Sequence, residues 1–238
     1  ALDLLTPPHC AGCRAPGARW CAACQASLWP PPIPLCEICG DSIHEPGCCP
    51  RCAQQPLALV RLRSRAQFAG PGREAIHRLK YKGDQPVAEA LGGELAAFWR
   101  KLGWPPALVV PVPLSRQRQR ERGYNQSELL ACMFAGKARL PLASAALARQ
   151  RHTEAQVGLN AQERHANVQA AFGAQPALVA GKTVLLIDDV CTTGATLEAC
   201  AQALRTAGAA QVYGLTVGRA VFDSQPARPH PPGSHPLP

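Results

Sequence analysis

Two groups of residues in this chain have the types and spacing to do chemistry. The first is TVLLIDDVCTTGAT at 183–196. Asp188 and Asp189 are adjacent acids, and Thr192, Thr193, Gly194, Ala195 and Thr196 follow two residues later. Gly194 permits close backbone approach. Amides of such a loop and of a following helix N-terminus can cradle a phosphate, and threonine hydroxyls add donors. Carboxylates beside that phosphate repel it, so they suit ribose hydroxyls or a hydrated Mg2+. Together these groups point to a sugar phosphate. The loop is not of Walker type, because the Gly-Lys-Ser/Thr ending is absent.

The second group is cysteine. Nine of 12 cysteines lie in the first 52 residues: four C-x2-C pairs, Cys10/Cys13, Cys21/Cys24, Cys36/Cys39 and Cys49/Cys52, and the extra Cys48. Two such turns complete one tetrahedral Zn2+ site, so four pairs make two structural sites. Sequential pairing and an interleaved cross-brace both satisfy the spacing. Cys48 competes with Cys49 for one position, whereas His9 and His44 read as bystanders. Disulfides need an oxidising compartment. The N-terminus carries no secretory pattern, so a cytoplasmic location is expected. The segment has few large aliphatic residues, so metal must supply its folding energy.

The charge is uneven. The chain carries +9, and residues 53–123 alone hold 13 basic and 5 acidic side chains. Such a block suits an anionic partner, whether phosphate, pyrophosphate or nucleic acid. Arg116, Arg118, Arg120 and Arg122 alternate: extended, they share one face; helical, they stack in two i,i+4 pairs. Arg61, Arg63 and Arg65 alternate in a strand pattern, either as a charge-protected edge or as a track for a nucleic-acid backbone. Filling both zinc sites with thiolates lowers the net charge from +9 to +5 and makes the N-terminal segment acidic.

The elements that must position these groups are readable. Val184–Ile187 reads as a buried parallel strand with the acids at its carboxyl end. Leu197 to about Ala207 reads as a helix, giving the strand–loop–helix half of a βαβ unit, where ligands sit beyond strand carboxyl ends. The stretch 107–113 reads as another strand, 142–148 as a further one, and 211–218 as the last. Gly72–Lys82, Val87–Lys101 and Asn125–Ala135 read as helices. The Pro-rich segment 223–238 is too polar to pack. No apolar run approaches the roughly 18–20 residues of a membrane span. The apolar content, 47%, is enough for a core.

The stretch LLIDDVCTTGAT resembles the phosphoribosyl-diphosphate (PRPP) signature of type I phosphoribosyltransferases. The order of motifs is similar to the ComF/GntX family: four C-x2-C pairs, LKYKG (79–83), VPVPLSRQRQRERGYNQSELL (110–130), RQRHTEAQ (149–156), ERHAN (163–167), then the acid–threonine loop. That resemblance implies an α/β fold, a type I phosphoribosyltransferase-like parallel sheet flanked by helices, behind a small N-terminal double zinc ribbon. The expected boundaries are 1–58 for the ribbon, 59–222 for the transferase-like domain and 223–238 for a disordered tail. It implies PRPP with Mg2+ as ligand. Asp188 and Asp189 would hold ribose hydroxyls, 192–196 the 5′-phosphate, and Arg118, Arg122, Asn125 and Gln126 the pyrophosphate. Arg149, Thr153, Gln156, Arg164 and Asn167 would belong to a loop that closes over the ligand. It further implies a role in natural competence, with single-stranded DNA and a helicase-type partner. Phosphoribosyl transfer and a purely binding role both stay open.

Overall fold

The computed structural model describes residues 8–105, 108–150 and 171–220. Four strands build the main sheet: β1 (Arg61–Gln67), β2 (Leu108–Pro111), β5 (Thr183–Cys191) and β6 (Gln211–Arg219). Their order is β1-β6-β5-β2, and every pairing is parallel. A second, antiparallel pair joins β3 (Leu147–Arg149) to β4 (Phe172–Ala174).

The apolar run of β5 is buried on both faces, as a central parallel strand requires. Leu185 and Ile187 pack with Ile76 and Leu79 of α3 (Gly70–Lys82), Leu91 and Leu95 of α4 (Gln85–Leu102), and Leu130 and Phe134 of α6 (Gln126–Ala138). Val184 and Leu186 face the other way, against Leu197, Cys200 and Leu204 of α8 (Ala195–Thr206) and against Leu147 and Phe172. Each such side chain contributes about 1.5–3 kcal/mol on burial. The expected parallel sheet flanked by helices is what the chain forms. Short helices α1 (Ala22–Ala26) and α2 (Pro50–Gln54) lie in the cysteine segment, α5 spans Arg116–Arg122, and α7 spans Pro176–Val179. Among the described residues no helix is long and apolar enough to cross a membrane.

Two elements differ from their sequence patterns, and a third settles an open alternative. β5 runs past Ile187 to Cys191, because β6 continues beside it to Arg219; the acids therefore sit within the strand and not after it. The strand expected over 142–148 is reduced to β3, since Ser144–Ala146 forms a 3-10 turn and Leu142 only bridges Val109. Arg116–Arg122 is helical: Ser115 caps it by accepting from the Arg118 N–H at 3.2 Å, and Gly123 ends it. Residues 151–170 and 223–238 lie outside the described residues.

β1 is an edge strand, and the cysteine segment covers its open side. The Leu62 N–H donates to Ile38 O at 2.7 Å and the Gln67 N–H to Trp29 O at 2.8 Å. The approach needs Gly40: its φ is +67°, and a Cβ there would meet Leu62 O at 2.4 Å. Arg63 donates to the carbonyls of Cys36 (3.2 Å), Glu37 (3.0 Å) and Leu62 (2.8 Å). Arg65 pairs with Glu94 at 3.2 Å and donates to Leu28 O. The alternating arginines are thus an edge, as one reading had it. Their alternative use as a nucleic-acid track is corrected for Arg63 and Arg65, which are engaged inside the protein; only Arg61 of the three is exposed.

Candidate functional site

The eight paired cysteines converge in sequence order. The Sγ atoms of Cys10, Cys13, Cys21 and Cys24 lie within 4.8 Å of one another, and so do those of Cys36, Cys39, Cys49 and Cys52. Individual separations are 3.5 Å for Cys10–Cys24 and 3.7 Å for Cys13–Cys21 and Cys39–Cys49. A Zn–S length of ~2.3 Å gives a tetrahedron with edges of about 3.8 Å, so both clusters fit zinc. Pairing is sequential, and Cys48 is exposed outside the cluster. Burial pushes the Cys10 and Cys36 thiols up, but converging backbone N–H groups outweigh it and bring each down to about 6. Cys24 and Cys52 are pushed up, by burial first and then by neighbouring sulfurs. Among the described residues, the second cluster has only Ile38, Ile43 and Leu57 as apolar support. Bound Zn2+ would supply the cohesion that this small core lacks.

Along β5, Asp188 Oδ1 accepts from Ser127 Oγ at 2.6 Å and from the Asp189 N–H at 2.9 Å. Asp189 is 4% exposed, and its Oδ2 lies 3.1 Å from Lys80 Nζ. That contact is an ion pair without hydrogen-bond alignment, leaving a buried oxygen with no aligned donor. Burial, then the Asp189 charge, pushes the Asp188 carboxyl up to about 7 against the opposing effect of Ser127 and Lys80. Lys80 and Ser127 were not among the sequence candidates. LKYKG was visible as a motif, but nothing in it says that Lys80 reaches an acid on β5. Ser127, at the start of a helix, reads as ordinary.

Beside the acids, a cleft of about 400 Å³ is lined by Lys80, Tyr81, Arg118, Glu121 and Arg122. Because α5 is helical, Arg118 and Arg122 share a face one turn apart; Arg116 and Arg120 do not line the cleft. The Arg122 guanidinium stands 5.3 Å from the Tyr81 ring centroid and donates to Gln126 Oε1 at 2.8 Å. Tyr124 joins the two walls: its hydroxyl donates to Leu79 O and accepts from the Gly83 N–H. Asn125 caps α6 by accepting from the Ser127 N–H and donates to Val112 O, both at 3.0 Å. Both ends of its amide are thus engaged within the protein. Arg149 ends β3, 5.4 Å from the Phe172 ring centroid. Thr153, Gln156, Arg164 and Asn167 lie outside the described residues.

The loop Thr192–Thr196 is open. Thr192, Thr193, Ala195 and Thr196 are exposed. Gly194 occupies the N-cap of α8 at φ +81° and brings no capping side chain. First-turn amides have no intrahelical partner; in α8 the Ala195 N–H donates to Thr193 Oγ1 at a long 3.3 Å, a local contact that a bound anion would replace. Two arginines tie the loop to the second cysteine cluster. Arg51 donates to Thr193 O at 2.6 Å. Arg219 is 3% exposed and donates to both Cys39 O and Cys191 Sγ at 3.0 Å. Burial pushes Cys191 up to about 11, against the pull of Arg219. An open amide loop, a diacid and a cationic cleft therefore meet at the carboxyl ends of β2 and β5. That arrangement can recognise one molecule bearing a phosphate, hydroxyls and a second anionic group.

Comparison with known proteins finds family matches in two separate segments. A double zinc ribbon domain matches residues 1–53, and a phosphoribosyl transferase domain matches residues 125–236. DNA utilization protein YhgH of Escherichia coli is 35% identical over 219 residues, covering 88% of this chain and 96% of that protein. Competence protein F of Haemophilus influenzae is 30% identical, covering 82% and 89%. Competence protein ComFC of Bacillus subtilis is 29% identical, covering 86% and 85%. Among solved structures, an allosteric regulatory enzyme of purine biosynthesis covers 55% of this chain and 26% of its own at 22% identity and a TM-score of 0.40.

Proposed function

The chain belongs to the ComF/GntX family, and from that premise we propose that it binds PRPP with Mg2+ at the end of β5. The observation that carries this reading is the Asp188–Asp189 pair, the first half-buried and the second buried, on the strand that leads into the open Thr192–Thr196 loop. In this reading the loop amides hold the 5′-phosphate and the acids accept hydrogen bonds from ribose hydroxyls. Lys80, Arg118 and Arg122 receive the diphosphate; Gln126 orients Arg122, and Asn125 shapes the turn. Lys80 already occupies the approach to Asp189 Oδ2, so the donor set suits a Mg2+ reached through its water shell. Bound there, Mg2+ would neutralise diphosphate charge.

Transfer would break the bond from the anomeric carbon to the diphosphate oxygen, whose electron pair leaves with pyrophosphate; an acceptor lone pair forms the new bond. The protein's part is positioning and stabilisation of leaving-group charge, with no nucleophile of its own. Calorimetry with PRPP, with and without Mg2+, tests the reading. Binding that needs Mg2+ and disappears in the double variant Asp188→Asn, Asp189→Asn supports it. No binding to the wild-type chain rejects it.

A second reading is favoured by one surface. Arg116 and Arg120 are exposed on α5, and Tyr81, which is 64% exposed, lies against Arg122 of the same helix. The relatives' names refer to DNA utilization and competence. We infer that this face contacts single-stranded DNA, with cations on phosphates and Tyr81 stacking on a base; a helicase-type partner belongs to the same reading. Anisotropy of a labelled oligo-dT should show binding that weakens with salt and falls about tenfold in Arg116→Ala, Arg120→Ala. Absence of binding at low salt discards it.

A further inference from the structure

We propose that the second cysteine cluster sets the alignment of the phosphate loop, with Arg51 as the positioning residue. Arg51 lies between the metal-ligand candidates Cys49 and Cys52 on α2, so its place in space follows the Cys36/Cys39/Cys49/Cys52 knuckle. Its guanidinium reaches 142 residues along the chain to Thr193 O, at 2.6 Å. A peptide group is planar, and a trans peptide carries its C=O and N–H on opposite sides. Holding the Thr193 carbonyl against Arg51 therefore turns the Gly194 N–H away from the knuckle. Gly194, at φ +81°, then starts α8 with its amide direction already fixed. An anion cradle made of backbone N–H groups depends on that direction.

The knuckle is itself bound to the sheet, so the grip has something to push against. The carbonyls of Cys36, Glu37, Ile38 and Cys39 accept, in turn, from Arg63, Arg63, the Leu62 N–H and Arg219. Arg219 also holds Cys191, two residues before Thr193. The strand end is thus fixed at Cys191 and at Thr193, with Thr192 between. Without metal, three half-buried aliphatic side chains cannot keep the knuckle in shape, and Arg51 loses its position. Zinc in this cluster would then set the affinity of a site to which it contributes no ligand.

The ligand half of this proposal rests on the PRPP reading; the loop half does not. The test compares the full zinc-loaded chain with Arg51→Ala and Arg51→Lys, neither of which removes a cysteine. Hydrogen exchange is followed over peptides containing Thr192–Leu197, and PRPP affinity is measured by calorimetry. Arg51→Ala should keep the wild-type zinc content, exchange faster in these peptides, and bind PRPP about three- to tenfold more weakly, the size of a lost charged hydrogen bond at a surface. Arg51→Lys should recover part of both. Loop exchange and affinity equal to wild type in Arg51→Ala overturn the proposal while leaving the PRPP reading standing. Faster loop exchange in Arg51→Ala, with no PRPP binding even in wild type, supports the clamp and rejects the PRPP reading.

Discussion

Asp188 is a carboxyl placed where its own charge is disfavoured. Its pKa is raised to about 7, first by burial and then by Asp189. The folded state therefore holds a proton that the unfolded chain has already released between the ordinary carboxylate range and pH 7. Stability from this group is largest at low pH and falls as pH rises through that window. Asp188→Asn can keep the contact with Ser127 and removes the charge. Its melting temperature should exceed that of wild type by about 2–4 °C at pH 8 and by little at pH 5, with PRPP binding lost. Equal melting differences at the two pH values would disprove the burial account. The acids themselves were legible in the sequence, because they stand between an apolar run and a Thr-Thr-Gly loop; a lone acidic pair would have said little. Their partners were not: Ser127 is 61 residues away, and only the packing of α6 and α3 against β5 brings it and Lys80 within reach.

Elements were legible where period and caps agreed, and ambiguous where they did not. The four arginines of 116–122 fit strand and helix equally. Ser115 and Gly123, one at each end, decide for the helix, and that choice puts Arg118 and Arg122 on the cleft while leaving Arg116 and Arg120 outside it. β1 kept its period of two, yet period could not tell that the edge is occupied. Arg63→Ala strips donors from the carbonyls of Cys36 and Glu37 and should cost about 1–3 kcal/mol in denaturant unfolding. Arg61→Ala should stay within about 0.5 kcal/mol. The contact between α4 and α6 was not readable either. It depends on Gly92, where an added Cβ would lie 2.6 Å from Met133 Cβ and 3.0 Å from the Phe134 amide nitrogen. Gly92→Ala should destabilise the fold by about 1–3 kcal/mol, measured the same way; a neutral result would mean that the helices part without cost.

At the scale of the molecule, net charge overstates available charge. The basic excess of residues 53–123 suggested a surface for anions. Part of it faces inward: Arg63 serves the second cysteine knuckle, Arg65 pairs with Glu94, and Arg78 pairs with Asp84 at 2.6 Å while donating to Cys10 O. Composition cannot distinguish a cation that meets solvent from one that meets a carbonyl of another module. Docking of the cysteine segment onto the sheet was accordingly the least legible feature, although each part was legible alone. Stripping zinc with a strong chelator should lower the melting temperature and uncover the outer side of β1, an unpaired edge. Light scattering should then rise with protein concentration. A chelated chain that stays monomeric would show that the knuckle is not what guards that edge.

The covered edge also bears on how the chain is made. β1 pairs with β6, and the Ser64–Thr216 contact between them spans 152 residues; the Cys39–Arg219 contact spans 180. During synthesis the N-terminal knuckles and β1 leave the ribosome long before the strand that will sit beside them. A metal-closed knuckle can already hold one side of β1 through Ile38 and Leu62 while the other side waits. On that account the metal would aid the folding of the nascent chain, and zinc shortage would be felt first in the yield of newly made protein.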